Sequence, residues 1–254
     1  MTSSIWLREH PPIPGYEPIR VLGRNGAIVY FARSLRLNEP AVVQVWHRRA
    51  LPSNAATMVG LDHPSIVRVL DVGEVDGHAY VAFEHVEAET LAHRLESGPL
   101  SNIDSRKCAT AIASALQFAR DAGVVVADLT PGVVFLTEPP KLSLYPSRAI
   151  DTDLTFAPPE ATPTALTEWT GAADGYRVGA LLYAMLTTQP PISMEMALRR
   201  RRGVFADYSP DPPRQLNPTV SVELETICLR CLEAAPLVRY ASVRELAEAL
   251  AHSS

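Results

Sequence analysis

The spacing of apolar residues changes once along the chain, and that change limits the folds open to it. From Tyr16 to about Val86 the sequence is strand-rich, in short apolar runs bounded by turn residues. The runs are 21–33 with Asn25-Gly26 at a hairpin turn, 41–46, 66–73 and 78–83, the last two joined at Asp76-Gly77. From Thr90 the pattern becomes helical. Residues 90–95 fit a short helix, and 103–122 carry Ala109, Ile112, Leu116 and Ala119 at helical spacing. Ser242 and Glu245 open a last helix as a capping box.

A chain of 254 residues can bury a sizeable core in one large domain or two lobes. Its net charge of −5 gives nucleic acid no basic footprint to bind. No apolar run reaches the roughly 18 residues of a membrane span, and Arg8 and Glu9 follow the short run Ile5 to Leu7 too soon for a signal peptide. A cytoplasmic location is expected, within a chain that could be part of a longer polypeptide. Cys228 and Cys231 have Cys-x-x-Cys spacing, but no second cysteine pair or nearby histidine completes a zinc site, so burial on one helix face is expected.

The stretch from Gly123 to Leu136 reads as a helix end at Gly123, a loop centred on Asp128 that turns at Pro131-Gly132, and a strand from Val133 to Leu136. This layout resembles the catalytic loop of eukaryotic-like Ser/Thr protein kinases of bacterial type, His-Arg-Asp-Leu-Lys-Pro-x-Asn. Asp128, Leu129 and Pro131 match; Val126, Ala127, Thr130 and Val133 stand where the family has His, Arg, Lys and Asn. Further motifs follow in the family's order. The hairpin at 21–33 resembles the glycine-rich loop, with Ala27-Ile28 in place of its last glycine. Residues 41–46 resemble the Val-Ala-x-Lys strand, with Gln44 at the lysine position. Residues 54–64 resemble the C-helix and its exit, with Asn54 at the glutamate position. Leu144, Tyr145 and Pro146 stand at the Asp-Phe-Gly positions, and 156–160 resemble the Ala-Pro-Glu end of the activation segment.

The resemblance implies an α+β, bilobal protein-kinase-like fold: a small N-terminal antiparallel β-sheet lobe with a reduced C-helix, and a larger, mainly α-helical C-terminal lobe. The expected divisions are an extension at 1–15, an N-lobe with its hinge at 16–86, and a C-lobe at 87–254. It also implies a buried two-point pair between Glu160 and Arg239, and a bond from Asp174 to the backbone around Asp128. Val29, Val42, Phe83 and Phe135 fall at the adenine-pocket positions, where Val42, Phe135 and Phe83 are expected to fill the slot.

Phosphoryl transfer in this family rests on positioning and on charge neutralisation by lysine and magnesium. Gln44 is neutral, and Val133 and Leu144 offer a hard cation no oxygen. The expectation is a degenerate member, a pseudokinase that is not an enzyme and binds neither ATP nor a metal. It would act as a scaffold or regulator of another protein, with no nucleic-acid partner and no membrane span of its own. The alternative is an atypical nucleotide-binding phosphotransferase that uses Asp128 among rewired neighbours. The run Arg199, Arg200, Arg201, Arg202 reads either as a solvated helix end or as a docking patch for an acidic partner.

Overall fold

The computed structural model describes residues 12–24, 27–47, 51, 55–126, 129–144, 153–160, 170–201 and 209–252, without the side chains of 47, 200 and 201. These fall into two compact units. One comprises residues 1–87 with 122–124; the other comprises 88–121 with 125–254.

The first unit is built on one antiparallel sheet, β1 (Tyr16–Arg24), β2 (Ile28–Ser34), β3 (Glu39–His47), β4 (Val69–Val75) and β5 (His78–Glu84), in the order β1-β2-β3-β5-β4. Side chains on a strand alternate between faces, and the pairing register sorts them into rows. Tyr30 pairs with Val43, which pairs with Ala82; Val45 pairs with Tyr80. These residues and Ala32, Ala41, Leu70 and Ile13 form a buried cluster on one face. The other face carries Phe31, Val42 and Phe83 in one row and Val29, Gln44 and Val81 in the next.

At the β4–β5 turn, Asp76 and Gly77 both have positive φ, the primed geometry that matches strand twist. Opposite Tyr80 stands Gly73, where a Cβ would lie 2.8 Å from the ring. The missing side chain lets that ring lie flat across the strand, and its hydroxyl donates to Asp71 at 2.9 Å. β4 begins at Val69, not at Ile66 as the apolar run suggests. Past Pro64 the chain is still turning, with Ile66 N–H donating to the His63 carbonyl. The helix expected near 54–61 is a single turn, α1 (Ala55–Met58), which buries Ala55 and Met58.

The second unit is organised on α4 (Gly171–Thr187), which is buried at every position after Gly171. A helix buried all round is the centre of a core, not a surface element. Against it pack α3 (Asn102–Asp121), α6 (Pro213–Leu216), α7 (Val222–Cys231) and α8 (Val243–His252), and the unit also holds α2 (Leu91–Leu95) and α5 (Met194–Arg201). α3 buries Ala109, Ile112, Leu116 and Ala119, and Gly123, at φ 76°, turns the chain out of it. At Gly179 helix α7 comes so close that an added Cβ would sit 2.2 Å from that of Cys231. Ser242 caps α8 by accepting from Glu245 N–H, while the Glu245 carboxylate takes Ala241 N–H, one residue earlier than a standard capping box.

The strand expected over 133–136 is shorter. Pro131 to Val133 form a 3-10 turn, and only β6 (Val134–Phe135) pairs with β7 (Lys141–Leu142). Proline's fixed φ favours such a turn at its first position. Among the described residues, no helix is long and apolar enough to cross a membrane.

Candidate functional site

Helix α4 carries buried charge in its first two turns, and that charge holds the segment leading to Asp128 at Val126. Asp174 is 4% exposed and Arg177, one turn on, is 1% exposed. The Asp174 carboxylate accepts from Arg120 Nε of α3 at 3.0 Å and from the Arg177 guanidinium at 3.4 Å. Arg177 also donates to the carbonyl of Val126, the last described residue before Ala127 and Asp128. A buried guanidinium is tolerated only where partners replace its water. Here those partners are a carboxylate and the loop backbone, so α4 fixes the loop's approach. The family resemblance did not point to Arg177 or Arg120. The signal available was a single basic residue inside an otherwise apolar helical run, three residues after Asp174. The expected bond from Asp174 to the backbone around Asp128 lies outside the described residues.

Glu160 and Arg239 meet in a two-point pair at 2.6 and 2.9 Å. The Arg239 side chain is fully buried, while that of Glu160 is 36% exposed, so only one partner of the expected buried pair is wholly inside. Arg239 also donates to the carbonyls of Glu233 at 2.7 Å and Ala234 at 2.9 Å, and its guanidinium lies 4.9 Å from the centre of the Tyr176 ring. One cation thereby ties the end of the 153–160 segment to α4 and to the turn after α7.

On the β6–β7 hairpin, Ser143 N–H donates to the Val133 carbonyl at 2.8 Å. That bond brings Val133 and Leu144 to the same end of the hairpin. Val133 is 8% exposed and Leu144 1%. These are the two positions that the resemblance equates with metal ligands, and both present hydrocarbon. Among the described residues no group of three or more His, Cys, Asp or Glu side chains could hold a metal ion. In the first unit Gln44 sits between Val29 and Val81, and its amide oxygen is buried with no hydrogen-bond partner among the described residues. Taken separately, neither unit's residues fit a magnesium–nucleotide group held in the family's usual way: Gln44 in the first offers the phosphates no cation, and Val133 and Leu144 in the second offer a metal no oxygen.

The remaining expected positions divide in the same way. Val29 and Val42 are half-buried beside Gln44, Phe83 is buried, and Phe135 bridges to Thr90 within the second unit. Val126 is buried and Thr130 half-buried. Asn54, Ala127, Asp128, Tyr145, Pro146 and Arg202 lie outside the described residues, as does the hairpin turn at 25–26. Cys228 and Cys231 are both buried free thiols against α4, with the Cys228 Sγ donating to the Gly179 carbonyl at 3.6 Å. Burial pushes the Cys231 thiol up to about 12 and Cys228 well above its usual value.

A helix-centred second unit, a five-stranded first unit, and a loop held from α4 together match a known architecture. The profile of the protein kinase domain covers residues 40–253. The chain belongs to the protein kinase domain family. It is 29% identical to a probable serine/threonine-protein kinase of Streptomyces coelicolor over 91% of its own length and 38% of the relative's. It is 26% identical to the serine/threonine-protein kinase PknB of Mycobacterium leprae, over 91% and 42%. For PrkC of Bacillus subtilis the values are 25%, 91% and 39%. The chain therefore spans about two fifths of the length of these curated relatives. Among solved structures, the PknI kinase domain of Mycobacterium tuberculosis superposes with a TM-score of 0.76 at 22% identity, covering 94% of this chain and 96% of that one.

These findings correct the expectation that the chain is not an enzyme. Its relatives are named as Ser/Thr protein kinases and its fold is that of kinase domains, which points to an enzyme. Asp128 is retained in the sequence, and the segment before it is held at Val126 by Arg177 of α4.

Proposed function

We propose that this domain serves Ser/Thr kinase signalling in the cytoplasm as a protein-recognising, regulatory member of the family with atypical phosphotransferase chemistry. Asp128 is the retained group able to accept a hydroxyl proton. Gln44, Val133 and Leu144 replace the cation and the metal-holding oxygens that usually neutralise the phosphates. The observation that carries this reading is the meeting of Val133 and Leu144, both buried and apolar, at one end of the β6–β7 hairpin. Family membership supports the phosphotransfer half. The retained scaffold pairs around α4 support the recognition half, since they preserve a shape without supplying ligand contacts.

The test follows transfer of labelled phosphate from ATP to a general protein substrate and to the chain itself, with magnesium and with chelator. Slow transfer that chelator leaves unchanged, and that Asp128→Asn abolishes, is the expected result. Fast transfer that requires magnesium would overturn the assignment of Val133 and Leu144. Absence of transfer under both conditions would remove the catalytic half and leave recognition. In a parallel thermal melt, magnesium should add nothing to any rise in Tm produced by ATP, because a ligand stabilises only through groups that bind it.

A further inference from the structure

Charge on an exposed helix face is answered locally, as where Arg199 of α5 meets Glu195, one turn back, at 2.9 Å with both side chains more than half exposed. Arg177 stands in the opposite situation. It and Asp174 are the charged residues of α4, a helix buried at every position after Gly171. Asp174 does not need it, because Arg120 already reaches Asp174 Oδ2 with its Nε at 3.0 Å. Arg177 meets the other oxygen, Oδ1, at 3.4 Å from Nη1, and the same nitrogen donates to the carbonyl of Val126. Val126 is itself 4% exposed. A buried carbonyl needs a donor, but a neutral hydroxyl or amide would serve at lower desolvation cost than a guanidinium. Pairing and backbone satisfaction alone therefore leave the charge at position 177 unexplained.

We propose that Arg177 is a positioning residue for phosphoryl transfer, the group that sets where the segment ahead of Asp128 lies. The proposal rests on the phosphotransfer half of the function above. Residues 123–127 read Gly-Val-Val-Val-Ala, so the approach to Asp128 has no polar side chain of its own and can be hydrogen-bonded only through its backbone. Val126 and Ala127 stand at the positions that the resemblance equates with His and Arg, and the cation that meets this segment comes from α4 instead. A charge-assisted bond is about twice as strong as a neutral one. One nitrogen shared by two acceptors also ties the Val126 carbonyl to Asp174, and so anchors the segment to the helix at the centre of the core. Transfer depends on holding the reacting groups in line, and a misplacement of about 1 Å costs about a hundredfold in rate.

The experiment measures kcat and KM for transfer from ATP to a general protein substrate by the full chain, with the folded fraction taken from circular dichroism. Arg177→Met, a side chain of similar length without charge, should lower kcat by about tenfold to a hundredfold and move KM by less than about twofold. Thr187→Val separates positioning from stability. The Thr187 hydroxyl donates to the Tyr183 carbonyl at 2.7 Å at the other end of α4, so its loss should lower Tm and leave kcat per folded molecule unchanged. Where Arg177→Met does not fold, Arg177→Lys takes its place. Its ammonium stays beside Asp174 but ends short of the outer guanidinium nitrogen, and kcat should fall by about tenfold. Hydrogen exchange reads the tie itself: amides of residues 124–130 should exchange about tenfold faster or more in the position-177 variant and at the wild-type rate in Thr187→Val. Unchanged kcat or unchanged exchange in the position-177 variant would overturn this role alone, as would an equal loss of kcat in Thr187→Val. A wild type that transfers no phosphate would overturn the phosphotransfer reading and this role with it.

Discussion

Two sets of positions in this molecule differ in where their charge would find a partner. In the second unit, Asp174, Arg177 and Arg239 keep their charges at 4%, 1% and 3% exposure. At Gln44, Val133 and Leu144, where the family resemblance expects a cation and two metal-binding groups, the side chains are neutral or apolar. The difference lies in who supplies the partner. Asp174, Arg177 and Arg239 are answered within the chain, by Arg120, the Val126 carbonyl, Glu160 and the carbonyls of Glu233 and Ala234. A charge at the other three positions would be answered by a bound phosphate or metal. Without that ligand it would stand desolvated and unpaired, at a cost of several kcal/mol. Charge that is answered within the chain is present in the second unit, whereas Gln44, Val133 and Leu144 carry none.

The comparison breaks most visibly if the internal pairs can be removed without loss. Arg239→Ala strips the partner from Glu160 and leaves the carbonyls of Glu233, Ala234 and Ala172 without their donor. It should destabilise the fold by about 3–5 kcal/mol in urea unfolding. Glu160→Gln should cost only about 1–2 kcal/mol, because that carboxylate is partly in water and its amide replacement still accepts one bond. Equal costs would mean that the ion pair, not the buried guanidinium, carries the stability.

Restoring a charge at a ligand-dependent position sharpens the same contrast with a smaller effect. Gln44→Lys places an ammonium between Val29 and Val81 and should destabilise by about 2 kcal/mol. Gln44→Leu removes a buried oxygen that has no partner among the described residues, and should be neutral or stabilising by up to about 1 kcal/mol. A stabilising lysine would show that this position still has a partner for positive charge.

The first unit's own polar contact should answer to alkali. Burial, then Asp71, holds the Tyr16 and Tyr80 hydroxyls at about 12, above their usual 10.0. A neutral group whose pKa is raised by folding stabilises fully below the unfolded value. Its contribution is lost as pH rises from about 10 to about 12. Unfolding followed across that window should show a fall in stability that Tyr80→Phe reduces. No difference between wild type and Tyr80→Phe would detach the titration from this contact.

Much of the fold was open to inspection in the residues themselves. Gly123 after a helical run, Asp76-Gly77 between two apolar runs and Ser242 before the last helix act through local geometry, so neighbours in sequence suffice to reveal them. The motif order likewise located the pair of Glu160 and Arg239. Arg177 and Arg120 stayed hidden, since their partners lie 51 and 54 residues away in the chain. The capping, the turns and the change from strand to helix are short-range properties, fixed by backbone sterics and nearest-neighbour hydrogen bonds. Which charges have an internal answer depends on chain segments brought together only by packing against α4. Desolvation is set by everything that surrounds a group, and no stretch of sequence contains that.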